Sequence, residues 1–96
     1  MVEPYSELMT EKLYNFFESK DEYVLYSAFV TKITPFGKES RVKFCLTGDN
    51  FYLFTLRDRQ FGSYAIRNLE AIVKSSKSTE IVFIYPTYKD LRIKGQ

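Results

Sequence analysis

The sequence contains no histidine, so the residue that most often acts as a general base or as a metal ligand is absent. Its aspartates and glutamates form no pair or cluster with the spacing of a catalytic dyad or a calcium loop. Its four glycines form neither a phosphate-binding loop nor a dinucleotide fingerprint. We therefore expect a protein that is not an enzyme and that holds no metal or cofactor.

Cysteine is nearly absent as well, since Cys45 is the only one in the chain. One cysteine excludes an internal disulfide, which agrees with a reducing compartment. Cys45 falls in the middle of a strand-like segment, and no histidine is available to activate its thiol. We expect an inert, partly buried side chain.

Long hydrophobic runs are also missing. The longest, "IVFIY" from Ile81 to Tyr85, has about five residues, whereas a helix needs about 20 apolar residues to span a bilayer. No positively charged start followed by an apolar stretch suggests a signal peptide. These observations predict a soluble cytoplasmic protein.

What the chain does contain is material for one core. Its 96 residues are 45% hydrophobic and 18% aromatic, which is typical of a single folded domain over residues 1–96 and excludes a disordered chain. The charge is unevenly distributed: residues 1–22 contain six acids and two bases, whereas residues 23–96 contain six acids and twelve bases. An anionic partner would be drawn to the second part.

The first segment has the pattern of an amphipathic helix from about Ser6 to Ser19. Ser6 is suited to cap its N-terminus, and Glu7 would lie in the first turn, where the helix dipole favours an acid. We expect the apolar stripe to cover a sheet; an uncovered stripe would indicate a protein partner. The stripe consists of Leu8, Met9, Leu13, Phe16 and Phe17.

From Tyr23 to about residue 94 the pattern changes to short β-rich segments separated by turn residues. In "RVKFCLT", Val42, Phe44 and Leu46 alternate with Arg41, Lys43 and Cys45, which predicts a strand with two different faces. The whole pattern favours an α+β fold, a small antiparallel sheet or barrel of six or seven strands, strongly bent, with an N-terminal helix. The other predicted strands are "EYVLYSAFVTKI", "FYLFTL", "SYAIR", "NLEAIVKS", "TEIVFIY" and "DLRIKG".

The first predicted hairpin, "KITPFGKESRVKF", is the most basic stretch of the chain. It carries four cations around a Pro-Phe-Gly turn: Lys32, Lys38, Arg41 and Lys43. An ordinary solvated hairpin explains this pattern, because strand lysines keep sheet edges soluble. A site for an anionic ligand explains it as well.

Residues 28 to 94 resemble the tail homology 1 domain of class I myosins, which is a pleckstrin-homology-like module. The resemblance lies in "FVTKITPFGKESRVKFCLTGDNFYLFTL", followed by "IRNLEAIVKSS" and "TEIVFIY". The matching positions are Thr31, Lys32, Gly37, Arg41, Leu46, Thr47, Tyr52, Leu69, Ile72, Ser75 and Ser76.

The resemblance implies a seven-stranded, barrel-like sandwich with a helix at one end and an anionic-lipid site at the first hairpin. Lys32, Arg41 and Lys43 would then project from one face and converge on a phosphoinositide-like headgroup, with Lys38 nearby. Phe36, at the tip of the turn, would dip into the membrane as an apolar anchor. Such a module would sit peripherally at a membrane or the cytoskeleton, in a cytoskeletal or motor assembly.

Two other partners are considered. The same kind of fold accepts a peptide or protein partner as an added strand along a free sheet edge, which would make the protein an interaction module or scaffold. Nucleic acid ranks lower, because the sequence pI of about 8.6 is modest and no aromatic platform interleaves with the basic residues.

Overall fold

The computed structural model describes residues 8–86 and 90–95. Within these residues one α-helix precedes seven strands, and every strand pair is antiparallel. The α+β class, the N-terminal helix and the strand number are therefore confirmed. The elements are α1 (Glu11–Ser19), β1 (Tyr26–Ile33), β2 (Glu39–Leu46), β3 (Asn50–Phe54), β4 (Gln60–Ala65), a 3-10 helix (Ile66–Asn68), β5 (Ala71–Lys74), β6 (Glu80–Ile84) and β7 (Leu91–Gly95).

The strands form one sheet in the order β4-β3-β2-β1-β7-β6-β5. Each strand neighbours the next along the chain, except that β7 returns to pair with β1 and β4 does not pair with β5. The sheet is therefore not a closed barrel, and β4 and β5 are its two edges. Strand β1 lies at the centre of the sheet, where it pairs with β2 along all of its eight residues and with β7 along residues 30–33.

Helix α1 begins at Glu11 rather than at the predicted Ser6. Thr10 is its N-cap: the backbone is extended at this residue, and Oγ1 accepts a hydrogen bond of 3.3 Å from the backbone N–H of Leu13. Residues 8–10 precede the helix without being helical, whereas Ser6 lies outside the described residues. The predicted end at Ser19 is confirmed.

One face of the sheet encloses the larger core, which we call the inner core. The rings of Phe51 on β3 and Phe83 on β6 lie 4.9 Å apart, and those of Phe44 and Phe83 are stacked at 6.3 Å. Because β6 is four places from β3 in the sheet, these contacts require strong curling. The inner core consists of Val30, Val42, Phe44, Phe51, Leu53, Phe83, Tyr85, Leu91 and Ile93.

The opposite face of β2 and β3 is covered by α1. Leu13 and Phe17 of the helix pack there with Met9, against Cys45, Tyr52 and Phe54 of the sheet. Leu8 and Phe16 are partly buried at the margin of this second cluster, so the predicted apolar stripe does cover the sheet, with Met9, Leu13 and Phe17 buried. Truncation of a core residue such as Leu13 to alanine typically costs about 2–5 kcal/mol.

Within the described residues no helix is both long enough and apolar enough to cross a bilayer.

Candidate functional site

The β1–β2 hairpin, with its turn at Thr34–Lys38, is the candidate site. Thr34 organises the turn: its N–H donates to the carbonyl of Lys38 at 2.8 Å, its carbonyl accepts from the N–H of Gly37 at 2.9 Å, and its Oγ1 accepts from the N–H of Lys38 at 3.0 Å. Gly37 has a φ of 84°, a left-handed conformation in which glycine avoids the Cβ clash. These constraints hold Phe36 at the tip, 99% exposed.

The cations of the hairpin do not share one face. Lys32 pairs with Ser40 on β2 and with Ile93 on β7, so it belongs to the face of the inner core. Arg41 pairs with Thr31 and belongs to the other face, since directly opposed residues in an antiparallel pair point the same way. The expectation that Lys32 and Arg41 project together is therefore wrong.

Arg41 is exposed on the face that carries α1 further along the sheet. Its guanidinium carbon lies 4.4 Å from the centre of the Phe29 ring, a distance typical of a cation–π contact. The contact restricts the side chain and leaves its charge accessible to an anion.

Lys43 lies on the same face as Arg41 but is only 2% exposed. Its Nζ is 2.6 Å from Oδ1 of Asp58, a residue of the β3–β4 turn. The ammonium group is thus neutralised within the protein, and the hairpin presents Lys32, Lys38 and Arg41 as its accessible cations.

Asp58 joins three parts of the fold. Besides Lys43 on β2, its carboxylate accepts a 2.6 Å hydrogen bond from Oγ1 of Thr10, the residue that caps α1. Burial by itself would raise the pKa of Asp58, but the hydrogen bonds from Lys43 and Thr10 outweigh it and hold the pKa below its usual value. The ion pair between Lys43 and Asp58 was not predicted from the sequence, because the two residues are fifteen positions apart and no local pattern connects them.

The cations of the neighbouring strand β7 are engaged by acids. Arg92 contacts Oε1 of Glu80 with two nitrogens, at 2.8 and 2.6 Å, and Nζ of Lys94 lies 3.8 Å from Oε1 of Glu39. Over residues 8–86 and 90–95, in contrast, no carboxylate forms an ion pair with Lys32, Lys38 or Arg41. These three cations of the hairpin are therefore available to an anionic partner.

A second polar cluster lies where α1 joins β1. The Glu22 carboxylate accepts hydrogen bonds from the Tyr52 hydroxyl, from Oγ1 of Thr47 at 2.7 Å and from Nδ2 of Asn50 at 3.0 Å. Burial opposes ionisation here, but these donors outweigh it and lower the pKa of Glu22. Burial and the Glu22 carboxylate raise the pKa of the Tyr52 phenol. These side chains form hydrogen bonds with one another, so the cluster anchors the segment between α1 and β1 to the sheet.

A cavity of about 770 Å³ lies beside the same junction, between the helix and the segment that leads into β1. Its wall combines aromatic and aliphatic side chains with carboxylates, which does not suit an anion. It includes Tyr14, Glu18, Asp21, Tyr23, Leu25 and Tyr26.

Cys45 is buried in the cluster beneath α1. Burial raises the pKa of its thiol to about 12, so the reactive thiolate is scarcely populated at neutral pH. No cluster of three or more potential metal-ligating side chains occurs in the described part of the chain. No protein-family model matches this sequence, and no curated protein sequence resembles it closely enough to count as a relative.

Proposed function

We propose that this protein is a non-catalytic, pleckstrin-homology-like targeting module that binds acidic phospholipid surfaces through its β1–β2 hairpin. The observation that carries the proposal is the fully exposed ring of Phe36, held at the tip of an ordered turn. Lys32, Lys38 and Arg41 belong to the same hairpin and have no carboxylate partner in the described part of the chain. An exposed apolar residue at the tip of a basic hairpin suits the chemistry of an anionic membrane surface.

Two features support the pleckstrin-homology-like part of the proposal. The antiparallel sheet has seven strands and curls around an aromatic core, and the basic hairpin is the first of the sheet.

The position of the helix differs from the family. In the family the covering helix follows the last strand, whereas here α1 precedes the first strand and packs on the outer face of β2 and β3. The helix in this protein therefore leaves the hairpin tip uncovered.

The expected affinity is low. Near an acidic membrane three accessible cations contribute about 1 kcal/mol each, and burial of the Phe36 ring contributes about 2 kcal/mol. A sum of about 5 kcal/mol corresponds to a dissociation constant somewhat below 1 mM. Such binding is reversible and becomes firm only when several hairpins act together.

The arrangement of the cations also determines the specificity. Because Lys32 and Arg41 lie on opposite faces of the sheet, they do not converge on a single phosphate group. Binding should then follow the surface charge of the membrane rather than the stereochemistry of one headgroup. Vesicles containing phosphatidylserine or a phosphoinositide, prepared with equal surface charge, should bind the protein equally well.

Vesicle cosedimentation tests this function with neutral, phosphatidylserine and phosphoinositide vesicles. The informative variants are Phe36→Ala and the double variant Lys38→Ala/Arg41→Ala. A matched aromatic control is Tyr23→Ala, because Tyr23 is 83% exposed and precedes β1, at the strand end away from the hairpin. Lys77→Ala in the β5–β6 connection is the matched charge control.

We expect the wild type to bind acidic vesicles and to dissociate at about 0.5 M salt, where the screening length is about 4 Å. Phe36→Ala and the double variant each remove about 2 kcal/mol and should each lose about thirtyfold in affinity, while both controls retain wild-type binding. Equal losses in the controls would show that any exposed aromatic or charge suffices, and absence of wild-type binding would refute the function.

A further inference from the structure

Strand β5 is one edge of the sheet, and its outer side is open to pairing with another strand. It hydrogen-bonds to β6 on one side, and within the described residues no strand occupies its other side. All four residues are exposed, with Ile72 at 57% and Val73 at 51%. The strand contains no proline and its register with β6 is regular. An exposed, apolar edge of this kind is a template for another strand.

The other edge, β4, is different. Its pairing with β3 shifts register between Leu53 and Phe54, where an irregularity interrupts the ladder. Such irregularities twist an edge and disfavour further pairing. The two edges are thus not equivalent, and β5 is the one open to a partner.

The register of β5 with β6 determines which backbone groups face outward. The N–H of Ser75, directly after the strand, donates to the carbonyl of Glu80 at 3.1 Å. Because bonding residues alternate along an antiparallel pair, Val73 and Ala71 also direct their backbone groups to β6. The backbone groups of Ile72 and Lys74 therefore point away from the sheet and are available to an added strand.

The sequence of this edge, "EAIVK" from Glu70 to Lys74, is complementary to itself. When two copies run antiparallel with Ile72 opposite Ile72, Glu70 of each copy lies opposite Lys74 of the other. The N–H of Glu70 is already bonded to the carbonyl of Ile84 on β6 at 2.9 Å. In this register the two Ile72 residues exchange two backbone hydrogen bonds, and the N–H of each Lys74 donates to the carbonyl of the opposite Glu70, which makes about four bonds between the copies. A slip of one residue would set Ile72 against Val73, whose backbone groups already bond to β6.

We propose that two copies of this chain pair through β5, antiparallel and centred on Ile72, to form one continuous sheet with a twofold axis. Both copies contribute the same surface, as a closed dimer requires. The Glu70 and Lys74 side chains, both exposed, flank a central contact between the two Ile72 side chains, and opposite charges placed directly across an antiparallel pair stabilise it. The dimer goes beyond the proposed lipid binding and does not depend on it, although two linked hairpins would bind a membrane more firmly than one.

Sedimentation velocity over about 10 μM to about 1 mM protein tests the dimer in the range expected for a small edge contact. The informative variants are Glu70→Lys and Lys74→Glu. In a dimer of either variant, both cross-strand pairs of residues 70 and 74 carry like charges. We expect each to weaken the dimer about tenfold. An equimolar mixture of the two variants restores both opposite pairs and should dimerise like the wild type, as should the double variant Glu70→Lys/Lys74→Glu.

Lys77→Glu is the matched control, since Lys77 is exposed in the adjacent connection but lies outside β5; it should dimerise like the wild type. Circular dichroism confirms that each variant is folded. A wild type that stays monomeric at about 1 mM overturns the proposal, and the edge is then open to a strand of another protein. A wild-type dimer that neither the mixture nor the double variant restores overturns it too, because the register would be wrong. Vesicle binding by the charge-conserving double variant tests the hairpin separately.

Discussion

The Nζ atom of Lys43 lies 2.6 Å from Oδ1 of Asp58, and the lysine side chain is almost fully enclosed by the protein. The ion pair connects the middle of the sheet to the β3–β4 turn, and Thr10 extends it to the N-terminus of α1. One of the four cations of the basic hairpin thus belongs to the internal structure, and its replacement should affect folding rather than binding.

Replacement of Asp58 should destabilise the protein more than replacement of Lys43. Asp58→Asn removes the carboxylate that lies 2.6 Å from the enclosed ammonium of Lys43, which costs about 3 kcal/mol, and asparagine tolerates the φ of 67° at this position. Lys43→Met should lower the free energy of unfolding by less. The Asp58 carboxylate still accepts the hydrogen bond from Thr10 and remains in contact with solvent. Urea unfolding measures both. In the double variant the loss should be smaller than the sum of the two; additive losses would show that the groups do not interact.

Thr10 serves both the helix and the sheet, since its Oγ1 accepts from Leu13 and donates to Asp58. Thr10→Ala removes both bonds and should cost about 1–2 kcal/mol. Thr10→Ser keeps the hydroxyl and should remain close to the wild type in urea unfolding. If serine were as destabilising as alanine, the methyl group and not the hydroxyl would be the important part of Thr10.

Acid should destabilise the fold through Asp58 and Glu22. Both pKa values are lower in the folded protein than their usual values, so each carboxylate stabilises the fold above about pH 4, and this contribution is lost as pH falls through the lowered pKa. The melting temperature should therefore decline below about pH 4. Asp58→Asn should melt lower at pH 7 and lose less on acidification. The exposed acid Glu18 provides the control Glu18→Gln, whose profile should follow the wild type.

Cys45 should report unfolding. Because the thiol is buried and its pKa is about 12, a thiol reagent at pH 8 should leave the native protein unmodified and label the unfolded chain once. Labelling measured across a urea series should follow the loss of circular dichroism. Rapid labelling without denaturant would contradict the enclosed position beneath α1.

The sequence predicted the content of the fold better than its registers. Alternation along β2 correctly separated Phe44 from Cys45, because a strand has a fixed period of two. The face of Lys32 relative to Arg41 depends on how β1 and β2 align, which Thr34 and Gly37 set through the geometry of the turn. No pattern within a single strand contains that information.

The accessibility of the candidate-site side chains also depends on residues that are distant in the sequence. Lys43 resembled the other cations of the hairpin in sequence, yet α1 and the β3–β4 turn enclose it. Phe36 and Lys38 were correctly placed in the turn, because Pro, Gly and polar neighbours are a local signal. The open edge at β5 required the strand order, which arises only when β7 returns to β1.

Strands β2 and β3 lie between the inner core on one side and α1 on the other. Both faces of residues 42–45 of β2 and 51–54 of β3 are thus shielded from water, whereas β5 is exposed along its whole length. Their amide hydrogens should be the last in the molecule to exchange with deuterium, since only global unfolding exposes them, and those of β5 should be among the first. The covering of one sheet from two sides therefore divides a small fold into a kinetically protected centre and a labile margin.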